Sequence, residues 1–169
     1  MEIPDHLKGY NWRSEMFYPR FTRKGEFLGW DLKDDAYNEF SRIANLQICT
    51  EIKEIKDTPE GMFAVVGAYE IVQGKGMLAR NSLAGVGSWE KPDHFIQFAE
   101  TRARQRLIAT LLGITGFDID LIATGLEKEG TLNRTEAKAR DDDQRSKRNA
   151  APKNIIEPSI GGDVDVFKE

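Results

Sequence analysis

Cysteine and histidine are scarce in this chain of 169 residues, which contains one cysteine and two histidines. A single thiol forms no internal disulfide, and this fits a reducing compartment. Cys49 lies in an apolar stretch, where a small core residue is favoured over a nucleophile. His6 and His94 follow no pattern that would complete a thiol active site or a zinc site. We therefore expect no metal or other cofactor and no catalytic residues.

Long apolar runs are also missing. No stretch approaches the roughly 18 consecutive apolar residues that a membrane-spanning helix requires. Residues 1–5 have neither the basic nor the apolar region of a signal peptide. We expect no membrane partner and a cytoplasmic location, which includes association with a nucleoid, a nucleus or, for a viral protein, the cytoplasm of the host.

An excess of positive charge is absent as well, because the net charge is −4. Residues 1–126 contain 15 Lys and Arg against 18 Asp and Glu, and residues 127–169 contain 9 against 10. Since phosphate neutralisation supplies most nonspecific affinity for nucleic acids, a nucleic-acid site here has to be a local basic stripe.

Aromatic residues are concentrated between positions 10 and 30, together with basic residues. The rings are Tyr10, Trp12, Phe17, Tyr18, Phe21, Phe27 and Trp30, and the basic residues are Arg13, Arg20, Arg23 and Lys24. Such a mixture can stack bases and hold phosphates. Rings that fill a core or an oligomer interface are the other interpretation, and it is preferred.

Hydrophobic periodicity predicts a helix followed by three strands. Residues 34–45 have helical spacing of apolar residues, with Asp34 or Asp35 as the expected cap. Alternation predicts strands over 46–55, 62–72 and 77–89, separated by turns at 57–61 and 73–76. The alternation fails at Ile55, which predicts a bulge near Lys53.

A long second helix is predicted over residues 94–113, with an apolar stripe and a stop at Gly113. A short helix is expected after Asp118 or Asp120. The fold class is therefore α+β: a three-stranded antiparallel β-meander packed against a long helix, with an N-terminal helix. We place the core in residues 1–126 and a charged, disordered tail in residues 127–169, because apolar residues become rare there.

Arg102 and Arg106 lie four residues apart, so they project from the same face of the second helix, whereas Arg104 points away. Guanidinium groups hold phosphate well. Salt bridges on a solvated helix face are the alternative interpretation of the same spacing.

The chain resembles the Rad fifty-two-like superfamily of single-strand annealing proteins, which includes phage proteins of the ERF and Sak types. The resemblance covers residues 20–115 and rests on the order of elements and on three motifs. They are Ala99-Glu100-Thr101-Arg102-Ala103 with Arg106 and Leu111-Leu112-Gly113, Phe21-Thr22-Arg23-Lys24-Gly25, and Gly85-Val86-Gly87. Leu107 and Thr110 depart from it, because some members have basic residues there.

The resemblance implies a β-β-β-α core that assembles into rings or filaments and anneals complementary DNA strands without ATP. Single-stranded DNA then lies between a hairpin and the long helix. The residues that would bind it are Arg102, Arg106, Lys53, Lys56, Lys75, Arg80 and Lys24. Lys53 and Lys56 differ in strand parity, so one of them faces away unless the bulge corrects it.

Two other functions stay open. Asp118 with Asp120, or Asp34 with Asp35, are candidate carboxylate pairs of a metal-dependent nuclease, although helix caps are favoured. The other function is a non-enzymatic oligomeric adaptor, whose tail recruits a protein partner through the apolar islands between residues 155 and 169.

Overall fold

The computed structural model describes residues 3–22, 24–72, 76–90 and 92–150, and it confirms the α+β class. Short 3-10 turns lie at Asp5–Leu7 and Ser14–Met16. The elements that follow are β1 Phe17–Phe21, β2 Phe27–Leu32, α1 Asp34–Ile43, β3 Ile48–Thr58, β4 Gly61–Val72, β5 Gly76–Gly87, α2 Phe95–Leu112, α3 Gly116–Lys128 and α4 Arg134–Ala150.

The aromatic N-terminal region forms a hairpin that sequence analysis did not predict. Strands β1 and β2 are antiparallel, with Phe17 opposite Leu32. Phe17 and Trp30 are buried. The rings of Tyr10 and Trp12 lie 4.7 and 4.8 Å from the buried ring of Phe40 in α1. These rings fill a core, as the preferred interpretation predicted.

The second sheet contains three antiparallel strands in the order β3-β4-β5. The register between β3 and β4 shifts between Ile52 and Glu54, which confirms the predicted bulge at Lys53. One face of the sheet carries Val66, Ala68, Ala84 and Val86, which are buried with residues of α2 in one apolar cluster. The opposite face is called the outer face below.

Helix α2 contacts the sheet through small residues. Ala99 and Ala103 are fully buried in the cluster with Val66 and Val86. Gly113 ends the helix in the left-handed conformation, with φ of 67°. The predicted stop is therefore confirmed, because glycine adopts this conformation without the steric cost that a Cβ imposes.

Two predicted helix starts are wrong. Lys33, not an aspartate, precedes α1, and its side chain makes no capping hydrogen bond. Helix α3 begins before Asp118, because Thr115 is its N-cap residue. The Thr115 hydroxyl accepts from the backbone N–H of Asp118, and the Asp118 carboxylate accepts from the N–H of Thr115. This reciprocal capping box satisfies two amides at the helix start.

Helix α4 lies beyond the boundary that sequence analysis placed at residue 126. Leu132 and Ala137 are buried in the same core as Phe17 and Trp30. The ring of Phe21 in β1 has the Lys138 ammonium 4.9 Å above it. Ordered structure therefore continues past residue 126, since even two buried apolar contacts fix the first turns of a polar helix. The apolar islands after residue 155 lie outside the described residues.

No single helix in the described ranges has both the length and the apolar composition to cross a membrane. Helices α2 and α3 satisfy that test only as a pair, and they are bent by 83° where they meet.

Candidate nucleic-acid interface

Arg102 and Arg106 lie one turn apart on α2, on the side of the β5 edge. Arg106 is exposed, and its Nη1 donates a 2.8 Å hydrogen bond to the carbonyl oxygen of Leu83 in β5. The Arg102 Nη1 lies 3.2 Å from the Glu90 carboxylate, just after β5. The Arg102 guanidinium also lies 4.5 Å from the centre of the Phe98 ring. Two guanidinium groups therefore follow the same sheet edge.

Arg104 takes a different direction, as its position on the helix predicts. Its Nη2 donates to the Asn38 side-chain oxygen at 3.0 Å, and Asn38 belongs to α1. This arginine joins two helices and has no part in the β5 edge.

Lys53 and Lys56 both lie on the outer face of the sheet. Lys56 is directly opposite Phe63, whose neighbour in β4, Ala64, is buried on the α2 side. The Lys56 ammonium lies 5.6 Å from the Phe63 ring centre, and the Lys53 ammonium 4.8 Å from the Tyr69 ring centre. The bulge thus restores a common face to two lysines of opposite parity.

These lysines are also paired with carboxylates. Lys53 lies 2.5 Å from the Glu51 carboxylate, and Lys56 lies 3.5 Å from that of Glu54. The hydrogen bond to Glu51, followed by one to Tyr69, raises the pKa of Lys53, so its ammonium stays charged at neutral pH. Both ion pairs are exposed, and pairs of this kind contribute about 0–1 kcal/mol.

The structure does not bring all the predicted DNA-binding residues together within one chain. Arg102 and Arg106 lie at the β5 edge on the α2 side, whereas Lys53 and Lys56 lie on the outer face near β3. Lys24 is exposed in the turn between β1 and β2, in the other sheet. Arg80 lies in β5, but its side chain is outside the described residues, as is all of Lys75.

Sequence analysis missed an aromatic layer on the outer face. Gly67, Gly85 and Gly87 lie on this face, and a Cβ on each would press into a ring. The rings are those of Tyr69, Phe63 and Trp89, respectively. The signal was present, because Phe63 and Tyr69 share one parity in β4, and Gly85 and Gly87 share one parity in β5. What the sequence lacked was the pairing that aligns these positions.

The candidate carboxylate pairs have structural partners. Asp118 belongs to the capping box, and the Asp120 carboxylate accepts the backbone N–H of Trp30 at 2.7 Å. The Asp34 carboxylate accepts from Asn38 at 3.1 Å and from Gln105 at 3.4 Å. Within the described ranges, no three His, Cys, Asp or Glu side chains are grouped to hold a metal ion.

Comparisons of the chain with protein-family models, with curated proteins and with solved structures found no match.

Proposed function

We propose that this protein binds single-stranded DNA and anneals complementary strands without ATP, as a homo-oligomer and without a catalytic site. The observation that carries the proposal is the pair of arginines on α2. Arg102 and Arg106 lie at one sheet edge, and each has a guanidinium that is half or fully accessible. Guanidinium groups in a row suit a phosphodiester backbone, because each can donate two parallel hydrogen bonds to a phosphate.

In this proposal, the sheet of β3, β4 and β5 with α2 is the β-β-β-α unit that the sequence motifs imply. Ala99 and Ala103 support it, because two small residues let α2 lie close to the sheet and so bring the arginines to its edge. Base pairing between the strands supplies specificity, so the protein requires no contacts with base edges.

Assembly into a ring or filament is supported by an apolar strip on the α2 side of β3 and β4. Ile52, Ile55 and Met62 are 46%, 42% and 42% exposed and share this face with buried Ala64 and Val66. Strand β3 has 11 residues and is at the edge of its sheet. A long edge strand with exposed apolar residues favours pairing with another chain.

The same strip favours a second candidate, a non-enzymatic oligomeric adaptor whose tail recruits a partner protein. In that case Arg102 and Arg106 act only in surface ion pairs and hydrogen bonds. The two candidates differ in one measurable property, which is salt-sensitive affinity for a single strand.

The test is fluorescence anisotropy of the full chain with a labelled single-stranded oligonucleotide over a series of salt concentrations. The test variant is Arg102→Ala/Arg106→Ala. The matched control is Arg42→Ala/Arg140→Ala, which removes the same charge from exposed sites on α1 and α4. We expect the test variant to bind more weakly and to lower the salt dependence by about 1.4, at about 0.7 for each phosphate contact.

The control variant should bind like the wild type, and the wild type should accelerate pairing of two complementary labelled strands. If the folded wild type binds no single strand at low salt, the proposal is wrong and the adaptor is the better candidate. If both double variants lose affinity equally, net charge and not this edge governs binding.

A further inference from the structure

The outer face of the β3-β4-β5 sheet is covered by flat rings. Phe63 lies over Gly85 and Trp89 lies over Gly87, where any larger residue would collide with the ring. Glycine at these positions lets one face of each ring rest against the strand backbone. The other face of each ring is therefore directed away from the sheet.

Phe63 and Trp89 form one continuous surface. Their ring centres are 6.0 Å apart and their planes differ by 18°, so the rings lie side by side and nearly parallel. Trp89 is 48% exposed, and Phe63 is half-buried. Nearly parallel rings with an exposed face are what a nucleobase needs for stacking, and stacking accepts any base because every base has a π face.

Cationic groups border this surface on one side. Lys56 lies above the Phe63 ring, and Lys53 lies above the neighbouring Tyr69 ring. Their partners Glu51 and Glu54 offset the charge, so the lysines by themselves provide little net attraction. Because both pairs are exposed, a phosphate can replace either carboxylate at small cost.

The arginine pair borders the same surface on the other side. Leu83, Gly85 and Gly87 alternate along β5, so all three belong to the outer face. Arg106 is bound to the carbonyl of Leu83, and Arg102 is paired with Glu90, the residue after Trp89. The two arginines therefore flank the stretch of β5 that carries both rings.

We propose that the outer face is a base-stacking site for single-stranded nucleic acid, in which bases stack on Trp89 and Phe63. The sugar-phosphate backbone follows the β5 edge, within reach of Arg102 and Arg106. Stacking occupies the face of a base and leaves its pairing edge free, so a bound strand can still pair with a complementary strand. This inference rests on the proposed function and adds to it the site for the bases.

The first test uses the intrinsic fluorescence of the full chain, titrated with an unlabelled single-stranded oligonucleotide. The chain has three tryptophans, of which Trp30 is buried and Trp12 packs against the core around Phe40. We expect the strand to quench the wild type and Trp12→Phe, but not Trp89→Phe, which keeps a ring at the site. Persistent quenching in Trp89→Phe would overturn the inference.

The second test measures affinity with Trp89→Leu beside Phe117→Leu, which changes a ring that is 75% exposed on α3. We expect Trp89→Leu to weaken binding roughly 5- to 150-fold and the Phe117 variant to leave it unchanged. An abasic strand of equal length keeps the phosphates but has no bases. It should bind the wild type as weakly as the normal strand binds Trp89→Leu.

The outcomes separate this inference from the proposed function. If the Arg102/Arg106 variant loses affinity while Trp89→Leu and the abasic strand do not, the stacking site is wrong and the phosphate site stands. If the wild type binds no single strand, both are wrong. Circular dichroism of each variant checks its folding, and Trp89→Phe retains the packing on Gly87 if Trp89→Leu does not fold.

Discussion

Replacing Phe40 with alanine should destabilise the protein strongly, because its ring is the centre of the N-terminal core. Phe40 is completely buried, and the rings of Tyr10 and Trp12 pack against it at 4.7 and 4.8 Å. Removal of a buried phenylalanine ring costs about 3–5 kcal/mol. Phe40→Leu keeps most of the volume and removes two ring pairs, each worth about 0.5–1.5 kcal/mol, so about 1–3 kcal/mol is expected.

Urea unfolding followed by both tryptophan fluorescence and circular dichroism measures these differences, and coincident curves justify a two-state fit. The control is Phe117→Ala, the same substitution at an exposed ring, which should change stability by no more than about 0.5 kcal/mol. If Phe40→Ala and Phe117→Ala cost the same, the N-terminal rings do not form a core. Phe40→Leu should also leave the affinity of the folded protein for single strands unchanged, because this ring lies inside the molecule.

Three further changes test other parts of the fold by the same unfolding measurement. Arg13 donates two hydrogen bonds to Glu39, chiefly through which the pKa of Glu39 lies below its ordinary value of 4.5; Glu39→Gln should therefore destabilise at neutral pH. This difference should vanish as the pH falls through the lowered pKa. Thr115→Ala removes the α3 cap and should cost about 1 kcal/mol. Ala103→Leu overfills the space between α2 and the sheet and should cost about 1–3 kcal/mol.

Each of these changes has a control in the chain. Glu129→Gln removes an exposed carboxylate and should show no comparable dependence on pH. Thr135→Ala alters an exposed threonine that is not the N-cap of a helix, and Gln97→Leu enlarges an exposed position of α2. A Glu39→Gln effect that persists in acid, or equal effects of a test variant and its control, would contradict the assigned contacts.

The local elements of this protein were predictable from its sequence, because short-range patterns determine them. Helix α2 follows from apolar spacing and ends at Gly113, where a residue without a Cβ suits the left-handed turn. The bulge at Lys53 follows from one break in the alternation of β3. The arginine pair on α2 follows from its spacing of four residues, as does the different direction of Arg104.

What the sequence could not determine is which faces and edges meet. Phe17 pairs with Leu32 across a turn, and the buried rings that follow from this pairing depend on contacts with α1, α3 and α4. Helix α4 has almost no apolar residues, so its start is fixed by the tertiary burial of Leu132 and Ala137.

The candidate site divides in the same way. Periodicity predicts that alternate residues of a strand share a face, but it does not say which face α2 covers. Only strand pairing aligns Phe63 with Gly87 and Val65 with Gly85, and so places rings over glycines on the outer face. By itself, the sequence determined the elements and the row of arginines, since both depend on neighbours along the chain. The tertiary structure alone decided that the lysines and the rings share the face opposite α2, since that depends on residues far apart in the sequence.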